Sequence, residues 1–251
     1  MQVELIVALG LGVVAAGLAV FGYLSRKKRW RMQDTPTLSV VEMNQALGLR
    51  AELHCEAVGV AQPGAGGPVR GPFSGTACVW HRTTVTRHYE KWEYNSQTKR
   101  RERRRRQQQV ADERSPAPFR LQDDSGLLTL APAEASVDGA VKSFDRYQEA
   151  RDGHTVQLGP FSFRAGGGGT LGYTYREWII TPGTRLYALG QVVRQGPELV
   201  MAKPEGQEFV VSTRSEAEIT KGLHIRERIG FIGAAVAAAG GAVAALLPVF
   251  G

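Results

Sequence analysis

The sequence predicts a mainly β fold: a small barrel- or sandwich-like domain with short helices, flanked by two transmembrane helices. Three observations predict it. The chain has 251 residues, and its two ends are unlike its middle. Val3–Leu24 carries one charge, Glu4, and Ile229–Phe250 carries none. Between them, runs rich in Val, Thr, Tyr and Trp are punctuated by Gly, Pro, Asn and Asp at intervals of about 8 to 12 residues, the pattern of a sandwich or barrel.

Each apolar run matches the roughly 20 helical residues that cross a hydrocarbon core of about 30 Å. Both are rich in Gly, Ala and Val, small residues that let membrane helices pack closely. A cleaved leader has its cations before the apolar stretch; here Arg26, Lys27, Lys28, Arg29 and Arg31 follow it, with Trp30 among them as an interfacial anchor. Arg226 and Arg228 precede the second run. Cations stay on the cytoplasmic side of a span, so the expectation is a multi-pass membrane protein with both termini outside and the intervening domain in the cytosol. The predicted organisation is a span over 3–24, a basic juxtamembrane linker over 25–36, a β-rich domain over 37–228 and a span over 229–250.

The net charge of +7 is concentrated. Residues 26–31 hold five cations, and residues 99–106 hold seven cations and Glu102, so the remainder of the chain is acidic. Nucleic-acid binding by a diffusely basic surface is thereby disfavoured. The two cysteines, Cys55 and Cys78, form no dense disulfide framework.

Within the domain, Ser39-Val-Val-Glu42 fits a capping box and opens a short helix ending near Gly48. Strands are expected over Glu52–Ala61, Cys78–Tyr94, Phe119–Gln122, Leu127–Leu130, Val156–Leu158, Tyr173–Thr181, Arg185–Val193, Glu198–Ala202 and Glu208–Thr213. Asn95-Ser-Gln-Thr is a turn, after which the Arg tract is either the returning arm of a protruding hairpin or a disordered loop. Asp123-Asp-Ser-Gly turns a second hairpin. Residues 132–153 read as irregular, with a helical turn around Phe144–Ala150. Gly166–Gly169 is a flexible tip, and Ser215–Glu218 a second capping box opening a helix through Ile225.

The stretch Gly71-Pro-Phe-Ser-Gly-Thr-Ala-Cys-Val-Trp-His-Arg-Thr-Thr-Val85 resembles a known signature. So do Pro118–Gly126 followed by Leu-Leu-Thr-Leu-Ala-Pro132, Glu177 within Tyr-Arg-Glu-Trp, and Gly183 followed by Tyr187-Ala-Leu-Gly190. Together they resemble the GIDE, or beside-a-membrane, domain of mitochondria-anchored E3 ubiquitin ligases and their prokaryotic relatives. The resemblance covers about Ser39 to Ile225 and the two flanking spans. It implies a ubiquitin-transfer context. In those ligases, however, activity resides in a RING, whose two zinc ions need about eight Cys and His ligands in paired spacing. This sequence offers two Cys and five scattered His. In the ligases the intervening domain also lies outside the cytosol, whereas the charges here place it inside.

No convergent catalytic set is apparent. His81 and His88 share one strand at a spacing that sends them to opposite faces. Ser74 lies outside any G-x-S-x-G elbow, and Gly166–Gly169 lacks the Lys-Ser/Thr of a phosphate loop. The expectation is no cofactor, no metal and no catalysis by this chain alone. Lys99, Arg100, Arg101, Arg103, Arg104, Arg105 and Arg106 cannot be buried and must be solvated or meet an anion: anionic lipid, nucleic acid or an acidic protein surface, with lipid the nearest for a tethered chain. Glu90 and Glu93 are expected to pair with Arg104–Arg106 across the hairpin. The sequence thus predicts a membrane-held binding module. Its partners would be membrane lipids, a protein, and another copy through the Gly/Ala-rich spans. The alternatives are the membrane component of a ubiquitin-ligase-type transfer system whose catalysis sits on another chain, and an envelope structural protein.

Overall fold

The computed structural model describes residues 2–33, 35–97, 99–150, 155–158, 161–164, 169–215, 229 and 231–239. It divides into two units, residues 1–36 with 214–251, and Thr37–Thr213.

In the first unit, α1 (Gln2–Gln33) runs unbroken for 32 residues. It contains the apolar stretch and continues through Arg26–Arg31, so that cluster belongs to the helix itself. A second helix covers 231–239. A Cβ on Gly233 would lie 3.1 Å from Leu18 Cδ1, so a glycine marks where the two helices touch. Many of their described apolar side chains are exposed, Val13 by 74% and Val236 by 68%. Among the described residues no helix is long and apolar enough to cross a membrane. The described side chains are those of 9–24, 229 and 231–239, so they sample the two apolar stretches only in part. The expected capping box at Ser215–Glu218 and its helix lie outside the described residues apart from Ser215.

The second unit opens with α2 (Val40–Ala46), capped by the expected box: Ser39 N donates to Glu42 Oε2 at 2.8 Å, and Glu42 N to Ser39 Oγ at 3.4 Å. The strands follow as β1 (Glu52–Gln62), β2 (Val69–Arg70), β3 (Ala77–Cys78), β4 (Trp80–Asn95), β5 (Arg100–Arg114), β6 (Phe119–Gln122) and β7 (Leu127–Leu130). After a 3₁₀ turn at Pro132–Glu134 come β8 (Ser136–Asp138), β9 (Val141–Glu149), β10 (Thr155–Leu158), β11 (Phe161–Arg164), β12 (Thr170–Ile180), β13 (Arg185–Gln195), β14 (Glu198–Ala202) and β15 (Val210–Ser212).

A barrel closes because β1 has two partners. It pairs with β13 from Glu52 to Val60 and with β6 from Val60 to Gln62. The ring then runs through β6–β7, β7–β14 and β14–β13 back to β1, with β15 and β8 extending the sheet beyond β13. The handover occurs at Val60, which faces both Arg185 and Gln122, and at the preceding Gly59 a Cβ would come within 2.4 Å of Gln122 O. Inward residues meet in register: Leu53 with Val192, Ala57 with Ala188, Leu121 with Leu128 and Val192 with Met201. This is the period-two alternation of a half-buried strand. Val40, Met43 and Leu47, spaced along one face of the helical segment, join the same core.

The other sheet is β5-β4-β12-β9. One face carries Val85, Tyr173 and Tyr175, packed by Phe161 and by Phe73, Phe144, Ala111 and Ala150. Phe73 is central, with ring centroids 5.6 Å from those of Phe144, Phe161 and Tyr175. The opposite face is polar, with Arg82 paired to Asp112 at 2.7 Å and Arg176 to Asp145 at 3.3 Å.

The expected helical turn at 144–150 is instead strand β9. Ser143 is an extra residue between Phe144, opposite Glu177, and Lys142, opposite Trp178. The strand is largely exposed, with no buried residue, so it lacks the alternation by which it would have been recognised. Of the Gly166–Gly169 tip, only Gly169 is among the described residues. It has φ +71° and lies against Glu90, where β12 ends its pairing with β4.

Adjacent leucines separate core from surface. Leu128 is fully buried and Leu127 is 46% exposed. Leu128→Ala should lower the unfolding free energy by about 2–5 kcal/mol, and Leu127→Ala by about 0.5 kcal/mol or less. Urea denaturation of the two variants checks this; equal losses would refute the barrel assignment.

Candidate functional site

The Arg tract is the returning arm of a hairpin. β12 pairs with β4 only as far as Tyr89, whereas β4 and β5 continue together to Asn95 and Arg100. Glu90 N still donates to Gly169 O at 2.8 Å, and beyond it, among the described residues, β4 and β5 pair only with each other. Lys99 turns the chain with φ +52°. The Arg side chains stay in solvent, Arg105 being 82% exposed.

Three glutamates partly neutralise the hairpin. Arg106 Nη2 lies 2.5 Å from Glu93 Oε2, and this bond holds the Glu93 carboxyl below the usual range. Glu90 meets Arg103 at 3.3 Å and Arg105 at 3.5 Å. Glu102 accepts from Asn95 at 3.1 Å and lies 4.0 Å from Arg104. The expected pairing thus holds for Arg105 and Arg106, while Arg103 replaces Arg104 at Glu90. The pairs are exposed and individually weak. Arg26, Lys27, Lys28, Arg29, Trp30 and Arg31 lie in α1, and their side chains fall outside the described ones.

The residues with catalytic potential are occupied elsewhere. Glu177, on β12, is fully buried. Its Oε2 accepts from Phe73 N at 2.7 Å and Ser74 N at 3.4 Å; its Oε1 accepts from Ser74 Oγ at 2.5 Å and Ser143 Oγ at 2.6 Å. Gly71 makes room, since a Cβ there would come within 2.5 Å of Oε1. Burial pushes the carboxyl up, but the donors outweigh it and hold the group below its ordinary range. Ser74 donates directly to the carboxylate, whereas an acyl-transfer triad interposes an imidazole.

Burial pushes the Cys55 thiol up to about 12 and Cys78 up to about 11, so neither supplies a thiolate near neutrality. Burial also holds the His54 and His81 imidazoles below their ordinary range. His88 lies on the opposite face from His81, bonded to Thr174 Oγ1 at 2.7 Å. Among the described residues no group of three His, Cys, Asp or Glu side chains is placed to hold a metal ion.

The stretches that carry the family resemblance meet in space as fastenings. Gly71–Ser74 wraps Glu177. Asp123 Oδ2 accepts from Val40 N at 2.8 Å, fixing the start of α2, while its Oδ1 accepts from the Ser125 and Gly126 amides. Tyr187 donates from its hydroxyl to the buried Glu56 at 2.5 Å. The sequence displayed these residues but gave no sign of their pairing, which joins positions remote along the chain.

The Glu177 fastening has a pH signature. Its folded pKa is depressed, so its stabilisation is full above the unfolded value of about 4.3 and is lost as pH falls through the folded value. His81 also binds its proton less readily when folded, so its contribution erodes from about pH 6.5 downward. Glu177→Gln should cost about 3 kcal/mol at neutral pH, because neutral donors lose their anion in a buried site. It should also flatten the stability profile below pH about 4.3. Urea midpoints measured against pH check both effects; a variant with the parent's acid slope would refute them.

No curated protein and no solved structure matches the chain. The sequence matches the model of the GIDE family, described as E3 ubiquitin ligase, over residues 88–246. That span takes in β4 from His88 onward, the Arg hairpin and everything through β15, and more than half of the chain. The chain belongs to the GIDE family.

Proposed function

We propose that this protein is a membrane-held, non-catalytic binding module of the GIDE family, and that it presents the β4–β5 hairpin to an anionic partner. The observation that carries the reading is the contrast between that hairpin and the rest of the domain. Its cations are exposed on two strands that extend beyond the sheet, while Glu177, Cys55 and Cys78 are buried in the fold. Membrane tethering is supported by the apolar stretches 3–24 and 229–250 and by the exposed apolar side chains on the described helical segments. The cations flanking those stretches support a cytosolic domain with both termini outside.

The family description gives the module its setting. Ubiquitin transfer by a RING requires about eight zinc ligands, and these 251 residues contain two Cys and five His. In this reading the domain recruits or positions a component at the membrane, and another chain supplies the transfer chemistry.

The full-length protein should stay with vesicles after carbonate extraction. In detergent it should be retained on immobilised heparin and leave at lower salt when Arg100, Arg101, Arg103, Arg104, Arg105 and Arg106 are changed to Gln. With ubiquitin, activating and conjugating enzymes and ATP, it should form no conjugates unaided. Release by carbonate, an unchanged elution salt, or conjugates formed by the protein alone would each overturn the corresponding part of the proposal.

A further inference from the structure

The two faces of the hairpin differ. Directly opposed residues of an antiparallel pair share a face. On one face Tyr89, Lys91, Glu93 and Asn95 stand opposite Arg106, Arg104, Glu102 and Arg100. There the two glutamates engage Arg106, Asn95 and Arg104. On the other face Glu90, Trp92 and Tyr94 stand opposite Arg105, Arg103 and Arg101. Trp92 is 59% exposed and Tyr94 65%, whereas Trp80 and Tyr175 are buried. The Arg103 guanidinium lies 5.1 Å over the Trp92 ring.

Building on the anion-binding reading of this hairpin, we infer that its partner is the anionic headgroup layer of a lipid bilayer, engaged by the face of Trp92, Tyr94, Arg101, Arg103 and Arg105. Trp and Tyr have an apolar body and a polar edge, and they favour the headgroup depth where both are satisfied. Arginine recognises phosphate and carboxylate oxygens through two parallel hydrogen bonds. On this face the rings line β4 and the guanidiniums line β5 directly opposite, so apolar ring and phosphate-binding cation lie side by side at one depth. Single-stranded nucleic acid is usually held in a positively charged groove lined by stacking rings. Here the rings stand on a free two-stranded blade with Glu90 beside them. Such a projecting shape suits a laterally continuous partner.

The test uses the full-length protein in vesicles, with a spin label on Ser96→Cys in the turn. Cys55 and Cys78 are buried, so labelling is selective. In vesicles of phosphatidylcholine mixed with phosphatidylserine, the label should lose access to a water-soluble nickel chelate and gain access to oxygen. In phosphatidylcholine alone it should remain wet, and high salt should reverse the docking. Each of Arg101→Gln, Arg103→Gln and Arg105→Gln should lower the docked-to-undocked ratio about fivefold, from the attraction of one cation near an anionic surface. The pair Trp92→Ser with Tyr94→Ser should abolish oxygen access, while Arg100→Gln and Arg104→Gln should have less effect than the three arginines of the docking face. A label equally wet in both vesicles would overturn the inference, as would protection that appears only when single-stranded RNA or an acidic protein is added. Should heparin retention still depend on the arginines in that event, the bilayer is the wrong partner and anion binding stands. Should retention also be insensitive, the anion-binding reading falls with it.

Discussion

A buried carboxylate fastens the turn after Gly71 onto the long sheet. Taking Glu177 out of water is costly, and what offsets the cost is four neutral donors converging from two directions. Two are backbone amides of the turn after Gly71, and two are serine hydroxyls, one on that turn and one on the bulge of β9. The turn is thereby pinned over the sheet and delivers Phe73 to the middle of the aromatic cluster. Without that lid the rings of Tyr173 and Tyr175 would face water, and the sheet from which the hairpin projects would lose the packing on one side.

The same device recurs. Glu56 receives the hydroxyls of Thr37 and Tyr187, the latter 131 positions away. Asp123 receives the first amide of α2 across 83 positions. Each carboxylate joins segments that no local preference brings together, at a site where hydrogen-bond geometry tolerates little displacement. Asp123, Glu177 and Tyr187 lie in the stretches that carry the family resemblance, so that signature includes residues that fasten the fold. A family resemblance built from fastenings is compatible with relatives that differ in chemistry, because function lies in what is mounted on the scaffold.

Elements whose information is local were legible in the sequence. The Ser39–Glu42 box and the Asp123–Gly126 turn contain their own instructions and form where expected, and the long strand expected over Cys78–Tyr94 forms as β4 from Trp80, with Cys78 in the separate β3. Strand β9 was hidden because it is largely exposed, with no buried residue, and so carries no alternation to read. Barrel closure was hidden because it depends on β1 changing partners at Val60, and the two-residue and three-residue strands β2, β3 and β8 are too short to show a period. The Arg tract was visible by composition. Its division into two faces was not, because the facing of every side chain follows from the register that the 95–100 turn imposes.

That register also bears on why the hairpin is so basic. β5 is an open edge of its sheet, 15 residues long, and an unprotected edge of that length invites pairing with another chain. Closely spaced cations prevent such pairing by repulsion, so edge protection alone accounts for the arginines. It does not account for Trp92 and Tyr94. Large exposed rings on a free two-stranded segment raise the tendency to associate, which is what the cations would be there to suppress. A segment that both repels its own kind and displays aromatic rings fits a partner that is anionic and offers those rings a place out of water. The arginines on the ring-bearing face select for such a partner by charge, and the rings supply apolar contact after encounter. Each face carries a net charge of +2, Glu90 against three arginines on one and Glu93 and Glu102 against Lys91, Arg100, Arg104 and Arg106 on the other, so the rings rather than the charge give the blade one side that binds.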